Sequence, residues 1–248
     1  MNEETQIVIL AAGKGKRMQS EDPKVLASLL GKHMIRHLLA SIHKAWNGKP
    51  VVIVGYKAEV VKAELGDAYT YALQEEQLGT GHAVACAERA CAGAEHIMVI
   101  SGDQPFISSE TIKNLIEKHL KSNAEITFTT TELSDFTDWR KAFLNFGRIL
   151  REDSMVVGIR EYKDATEEER NILEVNAGCY VFRADWLWKN LKNIKNTNSQ
   201  KEYYLTDLFQ IASENKNTIE TIQINPLEAL GANSKEELEI LERMHKKI

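Results

Sequence analysis

Gln6-Ile-Val-Ile-Leu-Ala-Ala-Gly-Lys-Gly-Lys-Arg-Met18 is the stretch that decides the fold. Its first six residues are almost continuously apolar, the pattern of a strand covered on both faces. Glycines at 13 and 15 follow at once. They let the backbone turn sharply and bring N–H groups close to a phosphate. In an open α/β sheet such a loop lies at the carboxyl end of a strand, where ligands bind. Two standard phosphate-loop signatures fail. A dinucleotide fingerprint needs a third glycine at residue 18, which is Met18, and an acidic residue ending the next strand, where Val54-Gly55 stands. A P-loop needs GxxxxGK[ST], and five residues after Gly13 comes Met18. What remains is a short glycine loop with four cations: Lys14, Lys16, Arg17 and Lys24. Asp22-Pro23 keeps the stretch before Lys24 out of helix.

Working outward, apolar runs alternate with helical patterns. Ile35, Leu38, Leu39 and Ile42 mark one face of a helix over 33–45. A buried strand follows at 51–54, a helix at 57–65 and a short strand at 69–73. An Ala-rich helix is expected at 80–91 and a buried strand at 96–101. Ser108 caps a helix carrying Ile112, Leu115, Ile116 and Leu120. This β-α-β-α rhythm predicts a three-layer α/β fold with a mostly parallel, mixed sheet. In the second half, strand signals at 124–131, 147–151, 155–161 and 175–183 predict a mixed extension covering one side of the site. A helix is expected at 204–212 and a strand at 219–224. Ser234-Lys-Glu-Glu237 reads as a capping box opening a C-terminal helix. There is no internal repeat, low-complexity tract or clear linker, so 1–248 reads as one domain.

The bulk numbers agree with an ordinary soluble globular protein. The 248 residues are 43% hydrophobic and 27% charged, with a net charge of −5. That balance gives no basic field to hold nucleic acid, so an anionic substrate must meet local positive charge. No segment reads as a signal peptide or a membrane span. Cys86, Cys91 and Cys179 match no metal or redox spacing and read as reduced thiols of a cytoplasmic protein.

A second chemical signal closes the strand at 96–101. Ser101-Gly102-Asp103-Gln104-Pro105 places a carboxylate at the same edge as the glycine loop. One such carboxylate can hold Mg²⁺, which keeps several waters and phosphate oxygens. Without further context Asp103 is equally a turn cap.

The run LAAGKGKRM with PKVL, then QLGTGHA (77–83), GDQP (102–105), EYKDAT (161–166), VNAG (175–178) and EYYLTD (202–207), resembles the uridyltransferase half of the bacterial N-acetylglucosamine-1-phosphate uridyltransferases. The blocks occur in order from about residue 6 to 245. The first alone marks sugar nucleotidyltransferases generally; QLGTGHA and EYKDAT narrow the branch. The resemblance implies a Rossmann-like nucleotidyltransferase domain acting on UTP and a sugar 1-phosphate with Mg²⁺. It implies nucleotide contacts from Leu10, Ala11, Ala12, Gly13 and Gly15, and from Gln74, Gln77, Gly79 and Thr80. Gln74 would face uracil, whose N–H and C=O suit a carboxamide. Thr80, Gly147, Glu161, Asn176, Tyr204 and Thr206 would line the sugar side. Asp103 and Asn233 would hold the metal, and the catalytic cations would be Arg17 and Lys24. The sequence departs from the family pattern at Lys16, where Thr is common, at Ser101 for Tyr and at Ala177 for Thr. No hexapeptide repeats of the family's left-handed β-helix follow, so neither acetyltransferase activity nor the β-helix trimer is expected; a monomer or small oligomer is. His82, Trp139, Trp186 and Trp188 read as structural. The rival readings are a nucleotidyltransferase for another sugar or base and a non-catalytic nucleotide-sugar binder. A nicotinamide oxidoreductase is the weakest.

Overall fold

The computed structural model describes residues 4–18 and 20–245, apart from the side chain of Lys16. The opening run forms β1 (Thr5–Ala11). Its alternate residues go to opposite faces: Ile7, Ile9 and Ala11 enter one apolar cluster and Val8 the other, with Leu10 packed beside it. Both faces are covered, which is why the run contains no polar alternation.

A small hairpin of β2 (Ser28–Leu29) and β3 (Lys32–His33) leads into α1 (Met34–Ala45), whose Ile35, Leu38, Leu39 and Ile42 are all buried. Each such side chain contributes about 1.5–3 kcal/mol of burial. Next come β4 (Val51–Val54), α2 (Ala58–Leu65), β5 (Thr70–Leu73), α3 (Thr80–Cys86), β6 (His96–Ser101) and α4 (Ser109–Ser122). Ser108 does cap α4, accepting from the Thr111 N–H at 3.0 Å. The second half supplies β7 (Ile126–Glu132), β8 (Arg148–Glu152), β9 (Met155–Arg160), α5 (Glu167–Arg170) and β10 (Glu174–Arg183). It ends with α6 (Ala184–Leu191), α7 (Asp207–Glu214), β11 (Ile219–Gln223), α8 (Pro226–Ala229) and α9 (Lys235–His245).

Among the described residues, seven strands run in the order β11-β7-β10-β6-β1-β4-β5, and β8 and β9 join through β10. The part around β1 is parallel. Leu10 faces Ile53 of β4 and Ser101 of β6, so these strands end at one edge. β10 is antiparallel to β6, with Cys179 opposite Ile100. Its first residues, Asn176 among them, therefore emerge at that same edge. α1, α2, α4 and α9 cover one face of the sheet, and α3, α6 and α7 the other. The sheet is thus mixed, with its parallel part confined to β5-β4-β1-β6 and the β7–β11 pair.

Four local expectations are corrected. The 80–91 helix stops at Cys86 and continues as a 3-10 turn, Glu88–Cys91. The helix expected from Tyr204 starts at Asp207, leaving Tyr204 in the loop before it. α6 was not expected; its Trp186 indole N–H donates to Asn217 Oδ1 at 2.9 Å. The capping box before α9 is only half made. Ser234 Oγ accepts from the Glu237 N–H at 3.2 Å, but the Glu237 carboxylate turns to Asn233.

Two further features shape the site. β10 is bulged against β7 between Asn176 and Tyr180, and Gly178 there has φ +79°. Gln104 fills the bend, donating to Ala177 O at 2.5 Å. Arg148, at the start of β8, is fully buried. Its guanidinium donates to the carbonyls of Phe143, Leu144, Phe146 and Arg170 and lies over the Phe136 ring at 4.5 Å. No helix of the described residues is long and apolar enough to cross a membrane.

Candidate active site

The glycine loop leaves β1 and is anchored at once. Tyr56 N–H donates to Ala12 O at 3.0 Å and Gly102 N–H to Leu10 O at 2.9 Å, so the loop is tied to the ends of β4 and β6. A cavity of about 230 Å³ opens there. One wall is Leu10, Ala11, Ala12 and Gly13; the other is Gln74, Gln77, Gly79 and Thr80; Lys24 also lines it. The Gln74 amide nitrogen donates to Gly79 O at 3.1 Å and lies 3.1 Å from His82 Nδ1. Those two partners set the orientation of its carboxamide, and His82 acts there as a support. Gly79 has φ +113°, and a Cβ there would sit 2.5 Å from Tyr203 O, so only glycine fits. Gly15, with φ +67°, lets the loop lie against Lys24; a Cβ there would meet the Lys24 Cβ at 2.7 Å.

Lys24 is the junction between the cavity and a charged knot. Its Nζ donates to Asp103 Oδ2 at 2.5 Å and to Asn233 Oδ1 at 2.8 Å. Burial alone would raise the Asp103 pKa. The Lys24 charge and hydrogen bond, helped by Ser101 and the backbone, outweigh it and hold Asp103 below its ordinary value. Asn233 is held in turn by Glu237, whose Oε2 accepts from the Asn233 backbone N–H at 2.7 Å and from its Nδ2 at 3.1 Å. Arg17, more than half exposed, reaches Glu237 Oε1 at 3.7 Å. Residues 17, 24, 103, 233 and 237 thus form one connected chain. The Lys16 side chain lies outside the described residues. Lys14 sits over the Tyr56 ring at 5.0 Å.

The oxygens of Asp103 and Asn233 already converge on a single cation, the Lys24 ammonium. A carboxylate and an amide oxygen are the hard donors a small divalent cation takes. Among the described residues no group of three or more His, Cys, Asp and Glu side chains could hold a metal. A divalent ion here would therefore rest on this pair and on ligand phosphates.

The sugar-side residues expected from the sequence also meet. Thr206 Oγ1 donates to Glu161 Oε1 at 2.8 Å. Asn176 N–H donates to Gly147 O at 2.9 Å, and a Cβ on Gly147 would lie 3.6 Å from Glu161 Oε1. Asn176 Nδ2 donates to the Tyr180 hydroxyl at 2.6 Å. Tyr204 is buried, with its hydroxyl 3.4 Å from Asp164 Oδ2. Glu161 is half-buried. Burial pushes its pKa up against the Thr206 hydrogen bond, and Asp207 and Asp164 add to the rise. This patch joins the cavity through Thr80, whose Oγ1 accepts from the Leu205 N–H at 3.0 Å. A larger hollow of about 470 Å³, lined by Glu161, Asp164, Tyr204 and Asp207, shares Glu161 and Tyr204 with this patch and lacks the glycine loop and the cations Arg17 and Lys24.

Sequence reasoning placed none of Ser101, Glu202 and Glu237 in the site. Ser101 and Glu202 line the cavity. Glu202 opens the EYYLTD block, so its position was visible but its direction was not. Glu237 was read as a helix cap, a role that hid its bonds to Asn233.

A glycine loop at the carboxyl edge of the parallel part of a mixed sheet, facing a carboxylate–lysine–amide knot, defines a nucleotidyltransferase fold. The chain belongs to the MobA-like NTP transferase domain family, which residues 7–172 match. It is 41% identical over 236 residues to the bifunctional protein GlmU of Desulfotalea psychrophila, covering 94% of this chain and 68% of that protein. It is 44% identical to the bifunctional protein GlmU of Exiguobacterium sibiricum, covering 90% of this chain. The chain spans about half, 51%, of that relative. In structure it is similar to a UDP-glucose pyrophosphorylase complexed with UDP-glucose, with a TM-score of 0.78 at 19% identity, covering 98% of this chain and 99% of that one. That likeness is one of fold.

Proposed function

We propose that the protein transfers a uridylyl group from UTP to N-acetylglucosamine 1-phosphate, releasing pyrophosphate and forming UDP-N-acetylglucosamine. The observation that carries this reading is the position of Lys24. It lines the cavity beside the glycine loop and also clasps Asp103 and Asn233.

In this reading an oxygen of the sugar phosphate attacks the α-phosphorus of UTP, and the bond to pyrophosphate breaks. That oxygen is already ionised at neutral pH, so the residues have no proton to remove. Their task is to bring two anions together and to spread the charge that builds up. Backbone N–H groups of the glycine loop and the Lys24 ammonium take the polyphosphate, and Arg17 adds charge from the loop's outer side. Gln74, with Gln77 and Gly79 beside it, reads uracil. Thr80, Gly147, Glu161, Asn176, Tyr204 and Thr206 place the sugar. Asp103 and Asn233 would hold Mg²⁺, which when bound supplies positive charge to the phosphate oxygens. The reading places the work in the cytoplasm, by a single domain that is a monomer or small oligomer, with neither nucleic acid nor membrane as a partner.

A substrate panel tests it. Pyrophosphate release is measured with each common nucleoside triphosphate against N-acetylglucosamine, glucosamine and glucose 1-phosphates. UTP with N-acetylglucosamine 1-phosphate is expected to be the fastest pair. A faster pair elsewhere overturns the specificity. Binding of a UDP-sugar with no pyrophosphate from any pair overturns the catalytic reading.

A further inference from the structure

The amide of Asn233 could stand either way round, since its oxygen and nitrogen occupy similar space. Its neighbours decide. Nδ2 and the backbone N–H both donate to one oxygen of Glu237, and this leaves Oδ1 facing the Lys24 ammonium. A reversed amide would set its oxygen against the Glu237 carboxylate and its NH₂ against the ammonium, two like pairings in place of two opposite ones. The Glu237 side chain is only 12% exposed, and its second oxygen faces Arg17. A helix-capping role does not explain this geometry. The cap bond runs from the Glu237 backbone N–H to Ser234 Oγ and needs no Glu237 side chain. The carboxylate is spent on Asn233 and Arg17.

We propose that Glu237 is a positioning residue for the cation end of the site: it fixes the Asn233 oxygen toward Asp103 and ties that oxygen to the Arg17 side of the glycine loop. This rests on the reading of Asp103 and Asn233 as the metal pair. Loss of a group that orients a metal-binding side chain commonly costs 10–100-fold in metal affinity.

The test uses the full chain and two substitutions. Glu237→Met keeps the length and packing of the side chain but offers no oxygen. Glu237→Gln keeps an oxygen for the two Asn233 N–H groups and loses the charge facing Arg17. Mn²⁺ binding is followed by the electron paramagnetic resonance signal of free Mn²⁺, with UTP present and the sugar phosphate absent. Thermal melting is recorded alongside. Glu237→Met is expected to bind Mn²⁺ about 10-fold more weakly and to need about 10-fold more Mg²⁺ for half-maximal turnover. Its kcat at saturating Mg²⁺ should stay within about threefold, and its melting temperature within a few degrees, since an orienting role leaves the chemistry and the core in place. Glu237→Gln should retain most of the Mn²⁺ affinity. Adding Glu237→Met to Asn233→Ala should weaken binding no further, because both act through one oxygen. Wild-type Mn²⁺ affinity in Glu237→Met, or a full additional loss on top of Asn233→Ala, overturns the proposal. Asp103→Ala and Asn233→Ala serve as references: if both bind Mn²⁺ as the wild type does, the metal reading itself falls and takes the proposal with it. A defect in those two beside a normal Glu237→Met sinks the role of Glu237 alone.

Discussion

Lys24 has three duties at once: it packs against Gly15, neutralises Asp103 and holds Asn233. Lys24→Met leaves a buried carboxylate without its counter-charge. Breaking a buried pair from one side costs about 3–5 kcal/mol, which urea unfolding will read directly. Turnover should fall about 10²–10³-fold, as for the loss of one preorganised charged donor, measured as pyrophosphate release. Arg148 shows the same logic with carbonyls as partners. Arg148→Met takes the guanidinium from the carbonyls of Leu144, Phe146 and Arg170, while Phe143 O keeps the Phe146 N–H, at a cost of about 3 kcal/mol in urea unfolding. Arg148→Lys should not restore stability, because an ammonium cannot reproduce the planar fork. The preceding residue, Gly147, borders Glu161, so KM for the sugar phosphate should rise in both variants. Nothing in the sequence marked Arg148 as buried. An arginine at the start of a strand signal reads as solvated, and only the loop carbonyls folded around it reveal otherwise.

At the scale of elements, the bulge in β10 supports the loop that carries Asp103. Gly178 lies in the left-handed region, and a Cβ there would sit 2.9 Å from Gln104 Nε2. Gly178→Ala should cost about 1–2 kcal/mol in backbone strain alone and lower the melting temperature by several degrees. The displaced Gln104 adjoins Asp103, so half-maximal turnover should require more Mg²⁺. α4 carries a different liability. His119 is buried, with Nδ1 2.9 Å from Thr127 Oγ1 and Nε2 3.1 Å from His96 Nδ1. Burial, with the His96 and Arg183 charges, lowers its pKa from 6.5 to about 3. The folded protein therefore keeps His119 neutral where the unfolded chain takes a proton. Stability falls as pH drops below 6.5 and goes on falling until about pH 3, by about 1.4 kcal/mol per unit. Urea unfolding at pH 5 should thus show about 2 kcal/mol less stability than at pH 7.5 from this group. His119→Gln should flatten that slope between pH 6.5 and 5; an unchanged slope would assign it to other groups.

For the molecule as a whole, legibility tracked sequence distance. β1, β4, β6, α1 and α4 were readable because each is one contiguous pattern whose buried face repeats in the sequence. α6 was hidden because Trp186 and Trp188 read as isolated packing aromatics. The site was readable in its parts. Its closure was not: the strand pattern put Asp103 at the edge of the glycine loop, but no spacing rule brings residue 233 there, and only the family resemblance implied it. Glu237 was lost for the opposite reason. A satisfying local motif was at hand, so a more distant partner was not sought. Ser101 and Glu202 line the cavity for geometric reasons that no residue pattern carries.

The clasp that joins Lys24 to both Asp103 and Asn233 also imposes a timetable. During translation the glycine loop and Asp103 leave the ribosome well before Asn233 exists, so a nascent chain can assemble its central strands while the grip on the cation is still one finger short. On the proposed reading, competence for the reaction arrives only when α9 docks and Glu237 turns the final amide inward.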